Sequence, residues 1–333
     1  MIDDLPRKWP NISWAKEDAL VVDAMRGSMW EVKCRDTLTQ FTAACSELQF
    51  NSAIWSAKRR LARNGNTVVY WPANSFPSLG PIGLGTYGWK YDPAIIQAAV
   101  QAGIRLIDTA ETYGYGRSET TLGKAVDLLE IVIATKVSRS HMSYEPVVNA
   151  AKRSVQKLGV QPIDLYQVHW PDDNKIEDTM RAMGKLLADG IIASVGVCNF
   201  SIDQVMRAQS LMPQGHRIRS LQVRYNLADR GIERALLPYC QAHDITLIAY
   251  SPLGHKFSEL RAKDTKHALE SVAKSCEVSE AQVALAWLMS HDKVVPIPRT
   301  NKIEHVREIG YAPSIHLTMG QIEALEKSFP VLE

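Results

Sequence analysis

IRLIDTAETYGYG at residues 104–116, IVIATK at 131–136 and IDLYQVHW at 163–170 decide how this chain folds. Each stretch starts as an apolar run and halts on charged or protic side chains: Asp108 and Tyr113, then Lys136, then His169. A buried parallel strand reads as a nearly unbroken Val/Ile/Leu run, so a polar residue at its carboxyl end points into the mouth of a sheet or barrel. Four such residues on consecutive strand ends predict one proton-transfer site.

The same grammar extends on both sides. Strand candidates follow one another at 82–87, 104–110, 131–137, 163–170, 193–200, 220–227, 245–252 and 294–299. Between them lie helical stretches. Val148, Ala151, Val155 and Leu158 share one face, as do Ile176, Met180, Met183 and Leu187, with Gly159 and Gly190 placed as C-caps. Strands alternating with helices of this length argue for parallel βαβ units, and eight of them argue for an α/β fold, a (β/α)8 TIM barrel. Residues 67–333 are assigned to the barrel, and residues 1–66 form an irregular or helical N-terminal extension. The extension holds four of the eight tryptophans and a basic, helix-like stretch, SAKRRLARNG. Three readings of it stand side by side: an appended helical element, a flexible segment, or upstream sequence ahead of a later start at Met25 or Met29.

Composition narrows the function. The 333 residues are 46% hydrophobic and 22% charged, an ordinary globular balance, and a net charge of +2 leaves no footprint for nucleic acid or an anionic membrane. The five cysteines, Cys34, Cys45, Cys198, Cys240 and Cys276, have neither C-x-x-C nor metal-ligand spacing, so no disulfide framework and no metal site is expected. MIDDLPRKWP lacks the pattern of a signal peptide, and no run approaches the length of a membrane span. The expected location is cytoplasmic, and the expected state a monomer.

Gly83-Leu84-Gly85-Thr86-Tyr87-Gly88 matches G-x-G-x-x-G, and Asp108 follows Gly88 by 20 residues, the spacing of a Rossmann fingerprint. In a Rossmann unit the glycines open directly into a helix. Here Trp89 to Asp92 intervene, and Pro93 has the character of a first helical residue, so that reading loses.

From Ile82 to about Ile309 the chain resembles the aldo-keto reductase family. The resemblance rests on D-T-A-E-x-Y-G at 108–114, A-T-K at 134–136, D-L-Y-x-x-H at 164–169, G-V-x-N-F at 196–200, Q-x-x-Y-N at 222–226, Y-S-P-L-G at 250–254 and I-P-R-T at 297–300. It implies a (β/α)8 barrel that binds NADPH in an extended pose and reduces aldehydes or ketones to alcohols. Tyr113 would be the general acid, Lys136 would stabilise its phenolate and bring its pKa down, Asp108 would hold Lys136, and His169 would orient the carbonyl. Cofactor contacts would come from Thr86, Asn199, Gln222, Tyr250, Ser251 and Leu253. Arg299, Thr300 and Lys302 would face the 2′-phosphate, and Glu308 the adenine. Tyr87 and Trp170 would line the substrate mouth.

The chain also departs from the family pattern. Cys198 stands where Ser is common, His305 where Arg is frequent, and Ile309 where Asn is frequent near adenine. TVVYW at 67–71 replaces only part of the usual hairpin under the barrel, and little sequence follows MGQIEALEKSF to narrow the pocket, which favours broad use of aldehydes and activated ketones. An alternative within the resemblance is a non-catalytic NADPH-binding accessory subunit, like the β-subunits of potassium channels. Taken singly, each of the four proton-site residues is more often a packed or capping residue; together, at family spacing, they are a site.

Overall fold

The computed structural model describes residues 79–125 and 131–330 in full and residues 21–26, 29–33, 58–61 and 67–71 by their backbone. Those four short segments are strands: β1 (Val21–Arg26), β2 (Met29–Lys33), β3 (Lys58–Leu61) and β4 (Thr67–Trp71). They pair antiparallel in the order β1-β2-β4-β3. The expected irregular or helical extension is corrected to this extent. Lys58–Leu61, inside the stretch read as helical, is extended, and Thr67–Trp71, grouped with the barrel, pairs with β2 and β3. Its sequence signals are the turn formers Gly27-Ser28 between β1 and β2 and Asn64-Gly65 between β3 and β4. The three readings of residues 1–66 otherwise concern positions outside the described residues.

The eight expected barrel strands all form. They are β5 (Gly83–Gly85), β6 (Leu106–Asp108), β7 (Val132–Val137), β8 (Leu165–Val168), β9 (Val195–Cys198), β10 (Ile218–Arg224), β11 (Thr246–Tyr250) and β12 (Val294–Pro296). Each runs parallel to its neighbour in chain order. At the seam the Gly85 amide donates to the Pro298 carbonyl at 2.9 Å. A Cβ on Gly85 would sit 3.0 Å from the Ile297 carbonyl oxygen, so glycine lets the first strand approach the last closely. That requirement explains the glycine-rich string without a phosphate loop.

Helices follow the strands: α1 (Pro93–Gln101), α2 (Arg117–Ala125), α3 (Tyr144–Leu158), α4 (Ile176–Ala188), α5 (Ile202–Ser210) and α6 (Leu236–Ala242). After β11 come α7 (Phe257–Lys263), α8 (Ala268–Cys276) and α9 (Glu280–Met289), and after β12 α10 (Ile303–Tyr311) and α11 (Met319–Ser328). Asp92 caps α1 by accepting from Ala94, with Pro93 at its first turn, and Gly159 ends α3 in the left-handed region at φ 69°. The predicted faces are inward: Val148, Ala151 and Leu158 are buried, as are Ile176, Met180 and Met183. Among the described residues no helix is long and apolar enough to cross a membrane.

The two-residue period of the strands sorts the core into two layers. Ile107, Ile133, Tyr166, Val168, Val197, Leu221 and Leu247 face the helices. Leu106, Val132, Ala134, Leu165, Ile248 and Val295 fill the barrel interior. Following the inner face toward the carboxyl ends gives Asp108 after Leu106, Lys136 after Ala134, Gln167 after Leu165, and Tyr250 after Ile248. The site is therefore laid directly on top of the packed interior.

Candidate active site

Asp108 and Lys136 are buried, while Tyr113 and His169 are half-buried at the mouth. Lys136 Nζ donates to Asp108 Oδ2 at 2.6 Å, to the Thr109 carbonyl at 2.9 Å and to Tyr113 Oη at 3.3 Å. The Tyr113 and His169 rings meet edge to face with centroids 5.8 Å apart. Between β6 and α2 Tyr113 sits in a tight turn: its amide donates to the Ala110 carbonyl at 3.1 Å, and the next three residues, Gly114, Tyr115 and Gly116, all take positive φ. Glu111 fixes that turn to the end of β7: its Oε1 accepts from the Ser138 amide at 2.7 Å, and its carboxylate pairs with His141 and Arg153.

The electrostatics follow from burial and from the Asp108–Lys136 pair. Burial opposes a charge on Lys136, but the Asp108 carboxylate outweighs it and holds the amine above its ordinary value, so it stays an ammonium. Burial pushes the Tyr113 phenol up to about 12, against the pull of Lys136. The ammonium does lower this tyrosine's pKa, as expected, but desolvation outweighs it and Asp108 adds to the rise. Burial, then Lys136, brings His169 down to about 4, so its imidazole is neutral at physiological pH and offers one N–H donor. Burial also pushes the Cys198 thiol up, so it remains S–H.

Beside the ion pair lies a layer of side-chain amides. Gln222 Nε2 donates to Asp108 Oδ1 at 2.8 Å, and Gln167 Nε2 reaches the same oxygen at 3.3 Å. Cys198 Sγ lies 3.7 Å from Gln167 Oε1. Gln167 escaped the sequence reading, although counting back two positions from His169 places it on the same inner face. Asn199 bridges the layer to the mouth: its Nδ2 donates to the His169 carbonyl at 3.4 Å, and its Oδ1 accepts from Tyr250 Oη at 3.1 Å. Asp108, Tyr113, Lys136, His169, Asn199, Gln222 and Tyr250 thus form one connected network.

The other predicted residues are placed as follows. Thr86 is fully buried, and its hydroxyl joins the Asp108 carbonyl and Ser118 Oγ at 2.9 Å each. Ser251, at φ 48°, opens a turn closed by the Gly254 amide, with Leu253 packed against the core. Arg299 is exposed, its guanidinium donating to the Gly88 carbonyl at 3.5 Å, and Lys302 heads α10. Among the described residues no carboxylate pairs with either cation. Thr300 is buried, its hydroxyl bonded to the Lys302 amide at 3.1 Å and near His305 at 3.3 Å. Glu308 is exposed on α10, whereas Ile309, which stands where Asn is frequent near adenine, is buried in the core. Tyr87 and Trp170 are 72% and 47% exposed at the rim; Tyr87 packs on Tyr113 and Trp170 stacks on His169. Among the described residues no cluster of His, Cys, Asp or Glu has the makings of a metal site.

This donor set fits a dinucleotide carrying an extra phosphate. Among the described residues Arg299 and Lys302 pair with no carboxylate, which suits a phosphate, while Tyr250 offers a ring face and Asn199 and Gln222 offer amides, which suit a nicotinamide. Comparison with known proteins agrees. A family model described as the Aldo/keto reductase family matches residues 81–329. A methylglyoxal reductase from Escherichia coli is 34% identical over 263 residues, 76% of this chain and 92% of its own length. The crystal structure of an aldo/keto reductase from Klebsiella pneumoniae in complex with NADP and acetate has a TM-score of 0.71 at 30% identity, covering 82% of this chain and 95% of that one. An aldo/keto reductase from Brucella melitensis has a TM-score of 0.65 at 26% identity, with 82% of this chain and all of that one covered.

Proposed function

The chain belongs to the aldo/keto reductase family, and from that premise we propose that it is an NADP-dependent oxidoreductase that reduces aldehydes and ketones, with Tyr113 as general acid. The observation that carries the reading is the contact of Lys136 Nζ with both Asp108 Oδ2 and Tyr113 Oη. When bound, NADPH supplies a hydride to the carbonyl carbon. The chain's own residues supply the rest. Tyr113, protonated at rest, gives its proton to the carbonyl oxygen. Lys136 lies where it stabilises the phenolate left behind, and Asp108 keeps it charged and placed. The neutral His169 donates its N–H to the same oxygen and sets the carbonyl's angle. The NADP bound in the Klebsiella relative supports the cofactor; on this reading Asn199, Gln222 and Tyr250 would hold the nicotinamide and Arg299 and Lys302 the 2′-phosphate.

The substrate class we propose is broad: aldehydes and activated ketones whose apolar part lies against the exposed faces of Tyr87 and Trp170. The test is a panel of aldehydes and ketones with NADPH, followed by loss of its absorbance, on the full chain. Turnover of several aldehydes supports the reading. Tight NADPH binding with negligible turnover across the panel would transfer the protein to the accessory-subunit reading.

A further inference from the structure

The two ends of a side-chain amide have the same shape, and only their partners tell oxygen from nitrogen. At Gln222 the partner decides. Asp108 pairs with an ammonium and only accepts, so the end of Gln222 that lies 2.8 Å from Oδ1 is the NH2. Gln167 is oriented by the same carboxylate. Its Nε2 faces Asp108 Oδ1 at 3.3 Å, which turns its Oε1 toward Gln222 Nε2 at 3.5 Å and Cys198 Sγ at 3.7 Å. Both N–H groups of Gln222 are therefore directed into the barrel, and among the described residues no group donates to its carbonyl oxygen.

We propose that Gln167 is a positioning residue which, with Asp108, locks the Gln222 amide so that its carbonyl oxygen is presented as an acceptor for the N–H of a nicotinamide carboxamide. The proposal rests on the NADP reading above. Asp108 alone holds one N–H and leaves the amide free to tilt about that bond; the second contact, to Gln167 Oε1, removes the freedom. The thiol at 198 is a weak donor, so it occupies the space beside Oε1 without displacing Gln222. One buried layer thereby connects the group that tunes the proton donor to the group that reads the cofactor.

The test is a binding measurement on Gln167→Met, which conserves length and volume and removes both amide ends. Dissociation constants are measured by calorimetry for three ligands. They are NADP+, its 3-acetylpyridine analogue, in which a methyl replaces the carboxamide NH2, and adenosine 2′,5′-bisphosphate, which has no nicotinamide. Gln167→Met is expected to weaken NADP+ about 2- to 10-fold, the range of one neutral hydrogen bond, and to leave the other two within about twofold. No change for NADP+, or equal weakening of NADP+ and the acetylpyridine analogue, overturns the proposal. A wild type that binds none of the three removes the NADP reading instead. If Gln167→Met also loses the bisphosphate, the fold has been disturbed, and Gln167→Leu is titrated against the same ligands with the same criteria.

Discussion

Replacing Lys136 by Met separates what the buried ion pair does for stability from what it does for chemistry. The lysine side chain is fully buried and its Nζ contacts Asp108 Oδ2 at 2.6 Å, the Thr109 carbonyl at 2.9 Å and Tyr113 Oη at 3.3 Å. Methionine fills the space of the stem, so little packing is lost. Among the described residues, what remains is a buried Asp108 carboxylate with the amides of Gln222 and Gln167 as its donors. Removing one partner of a buried pair costs about 3–5 kcal/mol, and the two amides offset part, so about 3 kcal/mol is expected from urea unfolding followed by tryptophan fluorescence. Adding Asp108→Asn removes the stranded charge and keeps an acceptor for both amides. The double variant should therefore recover about 1 kcal/mol or more relative to the single, while carbonyl reduction stays depressed by a factor on the order of 10² in both. A double variant less stable than Lys136→Met would show that no stranded charge was involved. Turnover restored along with stability would place Lys136 outside the chemistry.

Three other outcomes are expected. Tyr113→Phe should lower kcat by a factor on the order of 10² or more and leave NADP+ affinity unchanged in a fluorescence titration; near-normal turnover would remove Tyr113 from the mechanism. Arg299→Ala with Lys302→Ala should weaken NADPH by about 2 kcal/mol, since both cations are solvent-facing and share one phosphate, and hardly change NADH; competition binding with the two cofactors reads the ratio. Burial, partly offset by the hydrogen bond from Thr135, holds the Glu119 carboxyl above the usual range. The native state then binds the proton more tightly than the unfolded chain, so wild-type stability falls as pH rises through the window from the ordinary carboxylate value to the raised one. Urea midpoints should show Glu119→Gln gaining on the wild type across that window and holding the gain above it, and a difference that is flat with pH would refute this.

What the sequence revealed depended on whether the signal was local. The eight barrel strands were legible because each combines an apolar run with a helix of the right length before the next. The four proton-site residues were legible because each ends such a run. Gln167 was passed over because it lies inside a run, where a polar residue looks like noise until the inner face is counted from His169. The sheet of β1 to β4 was missed although Asn64-Gly65 is a strong hairpin signal, because the basic residues around Lys58 were weighed as a helix face. Thr86 and Ile309 sit beside motif positions, yet both are turned into the protein, an outcome set by neighbours far away in sequence such as Ser118 and the core under α10.

The high pKa of Tyr113 was also out of reach of the sequence, and it bears on the mechanism. An ammonium 3.3 Å from a phenol is expected to pull its pKa down, yet the value stays at about 12. Burial is the largest cause, and the Asp108 carboxylate, 2.6 Å from the same ammonium, adds to the rise. On the proposed mechanism this favours an acid that must be loaded before it acts. A tyrosine brought down to neutral pH by an unpaired lysine would be half ionised at rest and useless as a donor for that half. Buried beside Asp108 the phenol keeps its proton, and Lys136 already touches the oxygen on which the phenolate charge would appear. The neutral His169 cannot compete for the role, since an imidazole held near 4 gives up a hydrogen bond but not a proton at physiological pH. The division of labour between Tyr113 and His169 thus follows first from burial, which keeps the phenol protonated and the imidazole neutral, with Asp108 adding to the first effect and Lys136 to the second.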